Sequence, residues 1–219
     1  MANVSFRRYK NTDYDAVRLL FEEGMKSHIP SICVHILKLP QAQTVLVIAF
    51  ITVFTISKSY LLSLMGVTAV LAAGWLLVNT NFNSYVEKCH KDDLLDIEKS
   101  YMENKKSCFW VAESNGRVIG MVGVQPTGDT GDIMVLRRLS VAKDQRGQGI
   151  AKSLCKIVLD FARKHGAKCV NLDTSIIQRP AHKLYEHLGF EKTEVRLSQT
   201  LPGRFANLYV LYFSYNIKQ

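Results

Sequence analysis

The sequence predicts an α/β fold: a mixed central sheet flanked by helices, with a hydrophobic membrane insert between the first and second helices. Three observations predict it. From residue 107 onward, short β-branched and aromatic runs alternate with longer runs of helical periodicity. "NG" at 115–116 joins two of the strand-like runs, the strongest hairpin signal in the chain. Residues 44–78 form a 35-residue apolar run with one charge, Lys58.

The elements follow in order. "VSFRRY" (4–9) reads as a strand and "TDYDAVRLLFEEGMK" (12–26) as a helix. Thr12 or Asp13 can cap that helix, and Val17, Leu20 and Phe21 share one face. The apolar run comes next. As one helix it would be about 52 Å long, against a hydrocarbon core about 30 Å thick. Two segments, roughly 41–57 and 59–78, fit better, with "SKS" as the turn and Lys58 snorkelling to a headgroup layer. The first is marginal in length, so tilt or partial insertion stays open. The run starts too late for a signal peptide. A buried hairpin in a soluble protein is the alternative.

After the insert, "KDDLLDIEKSYMEN" (91–104) reads as an amphipathic helix with early acids. "SCFWVAES" and "RVIGMVGVQP" are the hairpin strands, "TGDTGD" (127–132) a loop and "IMVLRRLSV" a strand. "QGIAKSLCKIVLDFARKHG" (148–166) is a helix with Leu154, Ile157, Val158 and Phe161 as its stripe and Gly166 as its C-cap. "AKCVNLDTS" is a strand, and "PAHKLYEHLG" a helix from Pro180 to Gly189. "FEKTEVRLS" and "RFANLYVLYFSY" close the chain as strands. The organisation is thus 1–40 (first strand and helix), 41–78 (membrane hairpin or transmembrane segment) and 79–219 (the rest of the domain). If the first strand joins the later ones in one sheet, both ends of the insert lie on the same side of the membrane. Lys38 and Lys88 flank the insert, consistent with both flanks being cytoplasmic.

The chain carries a formal charge of +9, which suits nucleic acid, anionic lipid or an anionic cofactor alike. No nucleic-acid recognition motif accompanies it. The five cysteines form no CxxC, which argues against a disulfide scaffold and a structural zinc site. Cys108 and Cys169 lie in apolar runs and read as buried thiols. His28, His35, His90, His165 and His187 have no metal-ligand spacing and read as surface residues. No metal is expected.

The chemistry centres on "DQRGQGIAKSL" (144–154), where Arg146, Gly147, Gln148, Gly149, Ile150 and Ala151 lie at a strand-to-helix turn. Glycine lets the backbone close on a ligand, and the first amides of a helix have no internal partners. Such a turn holds phosphate oxygens, and Arg146 adds positive charge. GxxxxGK[ST] is absent, and a dinucleotide fingerprint is weak this late in the chain.

The spacing RxxGxA, from Arg146 to Ala151, resembles the pyrophosphate-binding signature of the GCN5-related N-acetyltransferase (GNAT) superfamily. "AHKLYEHLGFEK" (181–192) resembles its C-terminal signature, A-x-x-L-Y-x-x-x-G-F, through Ala181, Leu184, Tyr185, Gly189 and Phe190. Gln178 stands where many relatives carry Asn, a longer amide with a different reach. The likeness covers about residues 3–30 and 89–215. With "KLPQ" before the insert, "SCFWVAES", "VIGMVG" and a terminal "YVLYF", the chain resembles the camello/N-acetyltransferase 8 group of membrane-bound N-acetyltransferases.

That resemblance implies a GNAT-like fold and acetyl-CoA as co-substrate. Backbone near Leu139 and Val141 would pair with the pantetheine arm, the Arg146–Ala151 turn would hold the pyrophosphate, and Gln178 would contact cofactor. It implies an acceptor amine, either the α-amine of a cysteine S-conjugate or a protein lysine. It also implies an endoplasmic reticulum or other secretory-pathway membrane. The flanking lysines favour a cytoplasmic catalytic domain, with a lumenal one left open. An influence on embryonic cell adhesion is also attributed to the group.

Acetyl transfer from a thioester needs a neutral amine, a polarised carbonyl and a proton for the departing thiolate. Tyr185 is the candidate general acid, the alternative being a core aromatic. Asp173, His182 and a water or backbone relay stand open as the route for the amine proton. Arg137 and Arg138 are expected on opposite strand faces, one of them toward a substrate carboxylate or in a cross-strand salt bridge. The competing function is a non-catalytic acyl-CoA-binding membrane protein.

Overall fold

A computed structural model describes residues 4–128 and 132–217, so part of the predicted 127–132 loop lies outside the described residues. The strands are β1 (Val4–Arg8), β2 (Cys108–Ser114), β3 (Arg117–Thr127), β4 (Ile133–Val141), β5 (Cys169–Ser175), β6 (Glu191–Leu197) and β7 (Tyr209–Asn216). They form a seven-stranded sheet in the order β1-β2-β3-β4-β5-β7-β6. Only β4 and β5 run parallel, so the sheet is mixed as expected. Asn115 and Gly116 both have positive φ, 50° and 76°, which gives the predicted β2–β3 turn its twist-compatible geometry.

The first helix, α1 (Tyr14–Lys26), buries Val17, Leu20 and Phe21. Neither expected residue caps it through its side chain. Asp13 instead accepts from the Lys10 N–H at 2.9 Å and from Arg7 at 2.7 and 2.8 Å. Arg7 also pairs with Glu113 at 2.6 Å. One guanidinium therefore ties β1 to β2 and to the start of α1, and it holds the Asp13 carboxyl below its ordinary range.

A helix not anticipated from the sequence, α2 (Ile29–Leu37), precedes the insert. The insert is a helical hairpin, α3 (Pro40–Ser57) and α4 (Tyr60–Lys91). The chain turns at Lys58, in the left-handed region at φ 53°, and at Ser59, whose hydroxyl accepts from the Leu62 N–H at 3.4 Å. The predicted division at "SKS" is thus present. Both helices are long and apolar enough to cross a membrane, and almost none of either apolar stretch is buried in the protein. Ile56 is 81% exposed and Leu61 70%. Exposed apolar faces of this extent mark an interaction surface.

At 1.5 Å per residue α3 is about 27 Å long and α4 about 48 Å. The excess lies at the C-terminal end of α4, where Val86 and Cys89 pack into the domain core. This corrects the expected helix over 91–104. Helix α4 consumes Lys91, the chain breaks at Asp92, and turns lead to a single π-helical turn, Glu98–Met102. Leu94, Ile97 and Tyr101 are still fully buried. Their periodic spacing serves individual contacts with the sheet.

Helix α5 (Ile150–Lys164) covers one sheet face through Leu154, Val158 and Phe161, with Phe161 edge-on to Trp110 at 5.1 Å. Helix α6 (Arg179–His187) packs on the same face, and α1 covers the other. Strand β7 begins later than expected, at Tyr209, because Thr200 caps a short helix, α7 (Leu201–Phe205), accepting from the Gly203 N–H at 3.2 Å.

Because β1 and β2 are neighbours in one sheet, the hairpin returns the chain to the side it left. Protease-cleavable tags at residues 1 and 219, assayed in sealed microsomes, should be digested or protected together. Opposite fates would contradict this topology.

Candidate active site

Strands β4 and β5 pair over three residues only, Ile133–Val135 with Cys169–Asn171. Beyond Val135 the strands diverge. On the other edge of β4 the Ala142 N–H donates to the Ile119 carbonyl at 2.8 Å. Backbone groups alternate along a strand, so those of Leu139 and Val141 turn toward the edge that β5 has left. Both predicted cofactor-pairing residues therefore flank the gap. Arg146 Nε already donates to the Val141 carbonyl at 3.1 Å.

The turn after β4 is open. Gly147 and Gly149 have φ of 81° and 79°, where a side chain would be strained, and a Cβ on either would meet nothing within 4 Å. The first amide of α5 with a backbone partner is Ser153, bonded to the Gly149 carbonyl at 3.0 Å. Among the described residues, the N–H groups of Gly147, Gln148, Gly149, Ile150, Ala151 and Lys152 have none. These bare donors beside Arg146, at a helix N-terminus, fit a pyrophosphate. Ile150 is buried and roots the helix in the core.

Tyr185 stands on the α5 side of the sheet, its ring 5.8 Å from both Phe190 and Phe213. Burial raises its phenol pKa well above the ordinary value, and Cys155 and Asp173 add to the shift. The hydroxyl stays protonated at physiological pH and makes no hydrogen bond among the described residues. Burial also pushes the neighbouring Cys155 thiol up to about 12.

The structure separates the three candidates for proton transfer. Leu172 pairs with Phe213 on the Tyr185 face, so Asp173 points to the opposite, α1 face, where it is exposed. His182 is engaged at the end of β5, its Nε2 2.9 Å from the Ser175 carbonyl. Gln178 is engaged through both ends of its amide. Its Oε1 accepts from Thr174 Oγ1 at 2.6 Å and from the Ser175 N–H at 3.2 Å, and its Nε2 lies 3.0 Å from His28 Nε2.

That last contact corrects the reading of His28 as a surface residue. An amide nitrogen only donates, so His28 Nε2 accepts and the ring is neutral. Burial, followed by the charge of Arg146, lowers the His28 pKa and favours that form. Its neighbour Ser27 accepts from Arg146 at 3.2 Å. The α1–α2 joint thus touches both arms of the divergence. His35, His90 and His165 are also partly buried: His35 meets the Ala206 carbonyl at 3.0 Å and His165 the Phe161 carbonyl at 2.8 Å. Only His187 of the five is exposed.

The two arginines on β4 differ from expectation as well. The register slips between Met121 and Gly123, placing an extra residue in β4 at Arg138, whose φ is +59°. The bulge brings the Arg138 side chain to the α1 face, beside Arg137. Arg138 is paired with Asp93 at 2.5 Å, while Arg137 is exposed and has no ion pair among the described residues. A bulge leaves no mark on hydrophobic alternation, and the partner lies 45 residues away.

The family model for "Acetyltransferase (GNAT) family" matches residues 75–190, which contain both the open turn and Tyr185. The chain belongs to the GNAT acetyltransferase family. "Probable N-acetyltransferase camello" of Xenopus tropicalis is 44% identical over 218 residues, covering 100% of both chains. Human "N-acetyltransferase 8B" is 38% identical over 220 residues, 99% of this chain and 96% of its own. A GNAT acetyltransferase from Staphylococcus aureus Mu50 shares the fold, with a TM-score of 0.60 at 16% identity over 99% of this chain and 100% of that one. This GNAT chain is an acetyl-CoA-dependent acetyltransferase acting on an amine, closely related to camello and N-acetyltransferase 8 members.

Gly149→Glu, which strains the turn and places a carboxylate among the bare amides, should abolish detectable acetyl-CoA binding in titration calorimetry. Retained affinity would remove the turn from the cofactor site. Tyr185→Phe should lower turnover tenfold or more with acetyl-CoA affinity preserved. Equal turnover would remove its role.

Proposed function

We propose that the chain is a membrane-anchored N-acetyltransferase acting on the α-amine of small amphiphilic amino-acid derivatives, with cysteine S-conjugates as the leading class. The observation that carries this reading is the placement of Arg137 and Asp173. Val135 and Asn171 are register partners, so Arg137 and Asp173, each two residues further on, share a sheet face at the mouth of the divergence. An unpaired guanidinium suits a substrate carboxylate, and a carboxylate beside it suits an ammonium group about to lose a proton. A protein lysine brings no carboxylate at that position.

Acetyl-CoA, when bound, supplies the thioester. The amides from Gly147 to Lys152, with Arg146, hold its pyrophosphate. The backbone of Leu139 and Val141 would align the arm, and an amide of this stretch would polarise the thioester carbonyl. Asp173 takes the amine proton. Tyr185 Oη gives its proton to the departing sulfur from the opposite face. The exposed apolar faces of α3 and α4 support seating in a bilayer, and the returning hairpin with lysines on both flanks fits a cytoplasmic catalytic domain on a secretory-pathway membrane.

The test uses detergent-solubilised protein, labelled acetyl-CoA, S-substituted cysteines, their decarboxylated cysteamine counterparts and lysine peptides. Arg137→Ala should raise KM at least tenfold for the cysteine conjugates and less than twofold for the cysteamines. Equal shifts for both, or faster turnover of lysine peptides by the unaltered protein, would overturn the assignment.

A further inference from the structure

The backbone at Arg138 occupies a region that side chains with a Cβ rarely adopt, at φ +59°, inside the strand that borders the cofactor gap. Such an outlier persists only when its surroundings over-determine it. They do so here. The guanidinium meets Asp93 through Nη2–Oδ1 at 2.5 Å and Nε–Oδ2 at 2.9 Å. The two side chains are 9% and 8% exposed. Arg138 Nη1 donates to Cys89 Sγ at 3.0 Å, and the guanidinium carbon lies 5.0 Å from the Phe21 ring centre. The Tyr101 hydroxyl donates to the same Asp93 carboxylate.

The extra residue sets the phase of everything after it. Gly123 pairs with Arg137, but Met121 pairs with Ser140. Downstream, Ser140 faces Gly24 of α1 and Val141 is buried on the α5 face. Removing the extra residue from the ladder would reverse both side chains, and it would turn the Leu139 and Val141 backbone groups toward β3. We propose that Arg138 and Asp93 are positioning residues whose buried ion pair holds the β4 bulge, and with it the backbone that faces the thioester. Because Cys89 belongs to α4, the end of an apolar helix is part of that clamp.

The decisive comparison separates backbone conformation from charge. Asp93→Asn/Arg138→Gly removes the ion pair and keeps a residue that accepts positive φ. Asp93→Asn/Arg138→Val removes the same charges and penalises the bulge. The valine variant should have a kcat at least tenfold below that of the glycine variant and a KM for acetyl-CoA at least twofold above it, because the Leu139 and Val141 groups turn from the gap with the bulge. Equal kcat values, or a kcat loss with KM for acetyl-CoA unchanged, would overturn the proposal. Asp93→Asn alone, which keeps an oxygen for Arg138 but removes its counter-charge, should lower kcat at least threefold and raise KM for acetyl-CoA, measured on protein that still unfolds cooperatively. An unchanged kcat there would overturn it equally.

Discussion

The parallel contact between β4 and β5 ends after three residue pairs, and the other parts of the site depend on that break. A strand edge with no partner presents N–H and C=O groups that would each cost about 1–3 kcal/mol if buried without a hydrogen bond. Here they border a cleft. The glycine turn extends the same condition into the first turn of α5. Two unsatisfied backbone segments therefore meet, one running along the gap and one capping it. A long ligand with an amide-bearing arm and a phosphate end matches both. No side-chain charge other than Arg146 is needed to choose it.

The gap also divides the chemistry between the two faces of the sheet. Tyr185, dry and protonated, belongs to the α5–α6 face. Arg137 and Asp173 belong to the α1 face, open to solvent. In the proposed reaction, which releases a thiolate on one side and deprotonates an amine on the other, such a division would keep the proposed acid and base from neutralising each other. The Ser27–His28 joint contacts both arms, through Arg146 after β4 and Gln178 after β5.

Much of this was legible in the sequence because it is local. "NG" fixes a turn within four residues, and the turn from Arg146 to Ala151 declares its bare amides by spacing. The two apolar segments and the break at "SKS" follow from hydropathy and length. What stayed hidden depends on distant partners. The helix expected over 91–104 has a real apolar period, but α4 overruns its first residue and the sheet takes its apolar residues one by one. The bulge at Arg138 is set by Asp93 and Cys89, and the burial of His28 by Gln178, 150 residues away. Asp13 looked like a cap and is an ion-pair partner, since Arg7 reaches it first. Alternation along β4 placed its arginines on opposite faces only because one inserted residue cannot be seen in a pattern.

Helix α4 runs without interruption from its apolar stretch to Cys89, whose thiol accepts from Arg138. From Val78 to Lys91 this rod measures about 20 Å. It works as a ruler. With α3 and α4 seated in a bilayer as proposed, β4 would stand at a set height above the apolar belt, and the hairpin would not let that height drift as a disordered tether would. An acceptor in the plane of that bilayer would then have to extend its amine upward by a fixed amount, and reach would become a criterion of selection alongside charge.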